Sequence, residues 1–405
     1  MPWKLTSEMD EKMQFIAEYL RGEEPVTALC ERRGVSRQTA YKLIRRYEQE
    51  GPSGLAERSR APHCHGRGTP AELAVQILEL RRNKPYWGPK KLLAILHEQD
   101  PGAPWPSHST VSELLRREGL SQPRRVRRRP LTMDQPFAAV AAANDAWCID
   151  FKGWFTTGDG ARCDPFTVTD AYSRYLLGLK IMPIRTEQVS AEMDALFQEY
   201  GLPRAIRSDN GSPFASYGAG GLTRLSVRWA KMGLVLERIE PGRPQQNGRH
   251  ERMHKTLKQD ACTPSSADAE QQQARFDAFR QEFNHERPHE ALGQKPPARL
   301  YASSPRPFVE PHGDPDYPEA QIRRVRTSGE IKWRNAMVFV SEALVGEAVG
   351  LTQREDGHWL LRFNKVQLGL LDRVTGKLTR FGSGRPPRTK APVQPNPELS
   401  AMYPG

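Results

Sequence analysis

Cysteine is scarce in this chain of 405 residues, and the five that occur show no paired spacing. A disulfide framework is therefore not expected, and the thiols are those of a reduced, cytoplasmic protein. Long apolar runs are also missing. No stretch approaches the roughly 20 residues of a membrane span, and Met1–Thr6 has no apolar core of a signal peptide. His63–His65 lacks the second pair of ligands that structural zinc needs, so we expect no zinc site there.

Acidic residues are outnumbered by basic ones. The formal net charge is +12, and more than half of the excess falls within residues 1–135. A basic first third favours a polyanionic partner, although excess charge can also serve solubility alone. The length predicts two to four domains, and the 34 prolines and 32 glycines indicate many linkers between them.

Residues 1–50 have the pattern of a helix-turn-helix domain. A short helix is predicted over 26–33, Gly34 permits a tight turn, and Ser36 caps a second helix. In such domains the second helix enters the major groove of DNA. The alternative is an ordinary helical hairpin with a solvated basic face. The candidate DNA contacts on the second helix are Arg37, Gln38 and Lys42.

A second helix-turn-helix domain is predicted over 69–121, after a linker at 51–68. Ser107 or Ser109 caps its last helix, which ends on two further candidate contacts, Arg116 and Arg117. A basic linker arm follows over 122–139. Its arginines lack an apolar period, which predicts an extended arm along phosphates or in a minor groove; the alternative is a solvated linker. These arginines are Arg124, Arg125, Arg127, Arg128 and Arg129.

Residues 140–302 predict an α/β core. Candidate strands are followed by helices in one unit, which favours a mixed sheet covered on both faces. Thr186 opens a helix that ends at Gly201. The candidate strands are 146–154, 166–170, 174–180 and 204–208.

The C-terminal part predicts a small all-β barrel at 322–382, after a linker at 303–321. Six short, evenly spaced strands lie between 331 and 381, and Asp356-Gly357 marks a hairpin turn. Residues 383–405 contain six prolines and predict a disordered tail. The expected architecture is therefore all-α at the N-terminus, α/β in the centre and all-β at the C-terminus.

Three acidic residues occupy settings that mark a candidate active site. Asp150 lies inside the apolar run Ala146–Phe151, which is typical of a buried strand. Asp209 closes a second short strand where Asn210-Gly211 begins a turn, and Glu251 lies in a helical stretch. A carboxylate in an apolar strand is costly unless something compensates it. Converging carboxylates need cations between them, as in a two-metal phosphoryl-transfer site.

The helix of Glu251 has two distinct faces. The spacing predicts that its apolar face docks on the sheet and that two lysines, Lys255 and Lys258, flank the carboxylate and are suited to binding phosphates. The alternative is a routine Glu251–Lys255 surface pair, worth about 0.3–0.5 kcal/mol. The face of Glu251 also holds Asn247, and the apolar face holds Met253, Leu257 and Ala261.

These motifs resemble the integrase-type DDE transposases of bacterial insertion sequences, a branch of the retroviral integrase superfamily. The resemblance implies an RNase H-like core in which Asp150, Asp209 and Glu251 form the DDE triad. It also implies that Lys255 and Lys258 lie where family members contact the transposon end. The matching pieces, in family order, are Trp147–Asp150, Thr169–Arg174, Ser208–Ser212, Asn247-Gly248 with Glu251, and Asn284–Leu292.

One departure from the family concerns the spacing of the triad. Asp209 and Glu251 are separated by 41 residues, several more than in the short-spaced members. The excess lies in the Gly-rich stretch Tyr217–Gly221, which is consistent with a loop insertion that moves neither carboxylate.

The predicted site implies a metal-dependent mechanism. We expect Asp150 and Asp209 to share two Mg²⁺ ions about 3.5–4 Å apart, for which Mn²⁺ can substitute, with Glu251 as a ligand of one ion. Attack of water on a DNA phosphodiester would free the end of the element, and attack of a 3′-hydroxyl would join it to target DNA. His254 and His289 are left out of this chemistry because metal-activated water needs no imidazole. Asp170 is interpreted as structural.

The expected partner is double-stranded DNA, both transposon ends and target, bound by a dimer or higher oligomer at the nucleoid. Two other functions compete with this one: a DNA-binding regulator that keeps only end recognition, and a plain RNase H-type nuclease. A regulator would not need the three carboxylates, and a nuclease would not need tandem DNA-reading helices. A Mg²⁺-dependent joining assay with end DNA separates the three.

Overall fold

A computed structural model describes residues 7–57, 68–121, 140–239, 248–373 and 375–381. The arginines of the predicted arm, the His-Cys-His stretch at 63–65, Asn247 and the predicted tail lie outside the described residues. The chain divides into two compact units, 1–70 and 71–405. In the described part of the chain, no helix is both long and apolar enough to cross a membrane.

The described residues of the first unit contain three α-helices, α1 (Glu8–Arg21), α2 (Val26–Arg33) and α3 (Arg37–Glu50). The predicted turn is confirmed: α2 ends at Gly34, whose φ of 64° suits glycine. The predicted cap is also confirmed, because the Ser36 hydroxyl accepts a hydrogen bond from the Thr39 N–H at 3.2 Å. The apolar faces enclose a core of Phe15, Ile16, Leu29, Cys30, Ala40, Leu43 and Ile44.

Three more helices open the larger unit, α4 (Ala71–Asn83), α5 (Pro89–Gln99) and α6 (His108–Arg117). Ser107 caps α6, because its hydroxyl accepts a hydrogen bond from the Thr110 N–H at 3.3 Å. Ion pairs dock these helices on the α/β core: Lys84 lies 2.9 Å from Glu282 and 3.2 Å from Glu286. Their own core consists of Ile77, Trp87, Leu92, Leu93, Leu96, Val111 and Leu115.

The central domain contains the predicted mixed sheet, with strand order β5-β4-β1-β6-β7. β1 pairs antiparallel with β4, β4 pairs antiparallel with β5, and β6 and β7 run parallel to β1. A separate two-stranded ribbon, β2 with β3, follows β1. The strands are β1 (Ala146–Phe151), β2 (Phe155–Thr156), β3 (Arg162–Cys163), β4 (Pro165–Asp170), β5 (Leu176–Ile181), β6 (Ala205–Ser208) and β7 (Val235–Arg238).

Two predicted strand boundaries are wrong, for backbone reasons. The strand predicted over 146–154 stops at Phe151, and Gly153 follows with a φ of 90° that no extended strand contains. The strand predicted over 174–180 begins only at Leu176, because Arg174 has a φ of 68° in the turn before it. β7 was not predicted, since its four residues are half-buried and lack an apolar run.

Helices cover both faces of the sheet. On one face, α7 (Thr186–Tyr200) and α8 (Arg224–Lys231) pack against Trp147 and Ile149 of β1. On the other, α9 (Gly248–Leu257) and α10 (Ala269–Gln281) pack against Leu176 and Leu179 of β5. Asn284, in the motif after α10, pairs with the backbone of β5: its Oδ1 accepts from Leu176 N–H at 2.8 Å and its Nδ2 donates to Leu176 C=O at 3.0 Å.

The C-terminal domain is all-β, as predicted, but the closed barrel is not confirmed. Five strands form an open sheet in the order β14-β13-β12-β11-β8, and β9 and β10 form a separate hairpin. Within the described residues, β8 and β14 are therefore sheet edges. The strands are β8 (Gln321–Arg324), β9 (Glu330–Trp333), β10 (Ala336–Phe339), β11 (Ala348–Gln353), β12 (Trp359–Phe363), β13 (Val366–Leu371) and β14 (Leu378–Arg380).

The Gly-rich segment Tyr217–Gly221, which lengthens the spacing between Asp209 and Glu251, contacts the C-terminal sheet. Ala219 and Leu222 share one apolar cluster with Val349 and Leu361 of the C-terminal domain. Gly220 has a φ of 65°, and its N–H donates to the carbonyl oxygen of Phe381 at 3.0 Å. The extra residues thus serve as a docking segment for the C-terminal domain.

Candidate active site

The two predicted aspartates lie near the C-terminal ends of neighbouring strands. β1 and β6 are parallel neighbours, and their pairing ends with Cys148 opposite Arg207. Asp150 lies two residues further along β1, and Asp209 follows directly after the end of β6 at Ser208. Side chains alternate along a strand, so Asp150 lies on the face opposite the one that Trp147 and Ile149 pack against α7.

Asp209 is held in the turn that follows β6. The N–H of Gly211 donates to its Oδ1 at 3.1 Å, and the Ser208 hydroxyl donates to its carbonyl oxygen at 3.1 Å. A Cβ at position 211 would lie 3.0 Å from Asp209 Oδ2. Glycine therefore lets the backbone approach the carboxylate closely, and a larger residue would displace it.

Glu251 is exposed on α9, and the predicted division of this helix into two faces is confirmed. Met253, Leu257 and Ala261 are buried, whereas Lys255 is exposed. Within the described residues, no ion pair within 4.0 Å joins Glu251 to Lys255, so the routine surface pair is not formed. The carboxylate of Glu251 is therefore not neutralised by this lysine.

Two histidines lie beside Asp150. One ligand atom from each of Asp150, His250 and His254 lies within 4.8 Å of the other two, and this is the one such group of three or more in the described part of the chain. Asp209 and Glu251 are not members of this group. The sequence contained a signal for the two histidines, because their i, i+4 spacing puts both on one helix face.

Thr167 of β4 connects these histidines to the strand of Asp150, with which it is directly paired. Its Oγ1 lies 2.7 Å from His250 Nε2, 2.8 Å from His254 Nε2 and 2.9 Å from the carbonyl oxygen of Asp150. The Thr169 hydroxyl lies 3.2 Å from His250 Nδ1. Both ring nitrogens of His250 thus lie within hydrogen-bond distance of threonine hydroxyls.

The electrostatics of this face keep the imidazoles neutral. Burial lowers the pKa of His250 to about 3. Burial, with the neighbouring His250 and Lys152, lowers the pKa of His254 to about 2. Burial also lowers the pKa of Lys152, which lies near Lys258. Lys152 is a basic residue beside the site that the sequence analysis missed, since a single lysine after a strand gives no pattern.

Asp170 and His289 have structural environments, as interpreted from the sequence. Asp170 Oδ1 accepts from Asn144 N–H at 2.8 Å, and its Oδ2 accepts from the N–H and hydroxyl of Ser173 at 2.7 and 2.6 Å. Burial raises the pKa of Asp170. His289 packs edge-on against Phe283 with ring centroids 4.7 Å apart. Neither residue belongs to the group around Asp150.

The predicted DNA contacts lie in four parts of the chain. Arg37, Gln38 and Lys42 are exposed on α3. Arg116 is exposed but ion-paired with Glu113 at 2.6 Å within α6, and Arg117 is exposed next to it. Lys258 is half-buried near Lys152. The five arginines between 124 and 129 lie outside the described residues.

The donor chemistry fits a hard divalent cation. Carboxylate oxygens are the ligands that Mg²⁺ prefers, and Asp150 and Asp209 lie near the C-terminal ends of two neighbouring parallel strands. Within the described residues, Asp209 has hydrogen bonds to neutral groups and no ion pair to a lysine or arginine. The charge of this carboxylate is therefore available to a metal ion.

Known domain families match three parts of the chain. The profile described as integrase core domain matches residues 232–297, which include α9. The helix-turn-helix domain profile matches residues 11–63, and the homeodomain-like domain profile matches residues 39–115. The matches therefore cover both predicted DNA-binding regions and the part of the core that carries Glu251.

Curated relatives and solved structures are similar to the chain. It is 28% identical over 249 residues to the insertion element IS407 uncharacterized 31.7 kDa protein of Burkholderia multivorans, covering 59% of this chain and 86% of the relative. It is also 28% identical over 242 residues to the insertion element IS476 uncharacterized 39.2 kDa protein of Xanthomonas euvesicatoria. This match covers 58% of this chain and 66% of the relative. Among solved structures, the catalytic core domain of BIV integrase is 21% identical to this chain, and the match covers 39% of this chain and 93% of the integrase domain. Its TM-score of 0.31 is too low to establish the fold. The domain profiles and the insertion-element relatives thus support the resemblance to integrase-type transposases of bacterial insertion sequences.

Proposed function

We propose that this protein is a metal-dependent polynucleotidyl transferase that binds the ends of its insertion element, cleaves the DNA strand there and transfers it to target DNA. The observation that carries the proposal is the parallel pairing of β1 with β6, because Asp150 and Asp209 lie near the C-terminal ends of these neighbouring strands. The histidine contacts of α9 with Thr167 bring the helix of Glu251 to the same strand end.

Asp150, Asp209 and Glu251 are the proposed catalytic and metal-binding residues. Asp150 and Asp209 would hold two Mg²⁺ ions, or Mn²⁺ in their place, and Glu251 would complete the coordination of one. When bound, the ions supply an activated water or a positioned 3′-hydroxyl and neutralise the leaving oxygen of the phosphodiester. The Gly211 N–H, donated to Asp209 Oδ1, orients that carboxylate before any ion binds.

The basic residues around the site would hold the DNA. Lys255 and Lys258 lie one and two turns beyond Glu251, and Lys152 lies near Lys258, so their charges can neutralise phosphates next to the scissile bond. The exposed residues of α3 and the arginines of α6 would recognise double-stranded transposon ends. Because two ends must be brought together, we propose a dimer or higher oligomer.

A joining assay tests the proposal. Labelled duplex from the ends of the element is incubated with the full chain, target DNA and Mg²⁺. Cut and joined products are expected from the wild type. The variants Asp150→Asn, Asp209→Asn and Glu251→Gln are expected to bind the end in a gel shift but to form neither product.

A matched control is Glu270→Gln, which neutralises another exposed glutamate, in the first turn of α10. This variant should cleave and join like the wild type. Unchanged strand transfer by Asp150→Asn would discard the assignment of the site. Cut product without joining would indicate a plain nuclease, and a gel shift alone would indicate a DNA-binding regulator.

A further inference from the structure

We propose that Thr167 is a positioning residue: its hydroxyl holds His250 and His254, and through them fixes α9 and Glu251 relative to Asp150. The inference rests on the proposed function, because it gives these residues a part in forming the metal site. None of the three is a charged group, so their part is geometric.

Proton counting defines the hydrogen bonds of this cluster. A hydroxyl has one proton and two lone pairs. The carbonyl oxygen of Asp150 can only accept, so the Thr167 proton points to it across 2.9 Å. The two lone pairs of Oγ1 then accept the Nε2–H groups of His250 and His254 at 2.7 and 2.8 Å. Thr167 thus fixes both imidazoles as Nε2–H tautomers.

The cluster constrains α9 in a way that its apolar contacts do not. Met253 and Leu257 pack against the sheet, but apolar burial is non-directional and tolerates small rotations of a helix. Two hydrogen bonds from consecutive turns to one buried oxygen fix both the rotation and the axial position of α9. Glu251 lies between the two histidines in sequence, so its Cα is fixed with theirs.

The expected consequence is a change in metal affinity. Mg²⁺ demands near-ideal octahedral geometry, so a shift of Glu251 relative to Asp150 should weaken binding. Groups that orient metal ligands typically contribute about 10- to 100-fold in metal affinity. Direct ligation by both histidines is disfavoured because threonines engage both ring nitrogens of His250.

Three variants of the full chain separate this role from general damage to the fold. Thr167→Val keeps the shape of the side chain and removes the hydroxyl, and Thr167→Ser restores the hydroxyl. Thr169→Val is the matched control, because it removes a hydroxyl from the same strand, two residues away, that contacts His250 but not His254. Circular dichroism and thermal unfolding confirm that each variant is folded.

The first readout is Mn²⁺ affinity, measured without DNA from the electron paramagnetic resonance signal of unbound Mn²⁺. Thr167→Val should bind Mn²⁺ about 10- to 100-fold more weakly, whereas Thr167→Ser and Thr169→Val should stay close to the wild type. A second readout is the ¹⁵N spectrum of histidine-labelled protein, in which His250 and His254 should be protonated at Nε2 in the wild type.

A folded Thr167→Val variant with wild-type Mn²⁺ affinity would overturn the positioning role. The proposed function would still stand in that case if Asp150→Asn bound the end DNA but formed no cut or joined product. His254→Phe adds a second test that does not change the strand. If it abolished Mn²⁺ binding while Thr167→Val did not, His254 would be a direct ligand and the positioning role would be wrong. A wild-type protein without Mn²⁺ binding would instead remove the proposed function itself.

Discussion

The buried side chain of His289, which packs against Phe283, provides a quantitative test of how burial affects stability at different pH values. Burial, with the positive charges of Lys91 and Arg287, lowers its pKa to about 3, against about 6.5 in an unfolded chain. Below pH 6.5 the His289 side chain of the unfolded state therefore binds a proton. In the folded state it stays neutral until the pH approaches 3. The stability that neutral His289 contributes is complete above pH 6.5 and is lost as the pH falls towards 3. Between pH 7 and pH 5 the loss is about 2 kcal/mol.

The perturbation is His289→Phe, which cannot be protonated. Nε2 of His289 is buried without a hydrogen bond among the described residues, so a carbon at that position loses no partner there. Urea unfolding, followed by tryptophan fluorescence at pH 7 and pH 5, gives the free energy of unfolding of both proteins. The wild type should lose about 2 kcal/mol more than the variant on acidification. An equal loss in both proteins would refute the reasoning.

Three further predictions follow from contacts in the central domain. Asp170→Ala should lower the free energy of unfolding by about 3 kcal/mol or more, because it leaves three buried donors unpaired; urea unfolding measures this, and an unchanged midpoint would contradict it. Gly211→Ala should reduce strand cleavage without loss of fold, because its Cβ would crowd Asp209; single-turnover cleavage with Mg²⁺ checks it, and wild-type rates would argue against it. The double variant Lys255→Ala/Lys258→Ala should make the plot of log affinity against log salt for duplex end DNA less steep, by about 2 in the magnitude of its slope. An unchanged slope would mean that neither lysine contacts phosphate.

Local signals in the sequence predicted much of the fold. Ser36 caps α3 and Gly34 ends α2 because these residue types satisfy helix ends without help from distant contacts. The apolar run around Asp150 predicted a buried strand because a continuous run of apolar residues is a local property of the sequence. The parallel pairing of β1 with β6 could only be expected from the family resemblance, since such pairing depends on residues far apart in the chain.

Several missed features depend on partners that are distant in the sequence. The importance of His250 and His254 rests on Thr167, more than 80 residues earlier, so their helical spacing alone did not separate them from ordinary packing residues. The Gly-rich segment around Gly220 could be interpreted as an insertion, but its partner strands lie in another domain. The C-terminal strands were predicted from their turns, whereas closure of a sheet is decided by how its edges meet.

The most direct test of the central claim is the anomalous scattering of Mn²⁺ in crystals of the full chain. The proposed site predicts Mn²⁺ at about 2.1 Å from carboxylate oxygens of both Asp150 and Asp209, with an oxygen of Glu251 completing one coordination shell. Mn²⁺ bound by Asp150 and His254 without Asp209, or its absence from this face of the sheet at saturating concentration, would contradict the account.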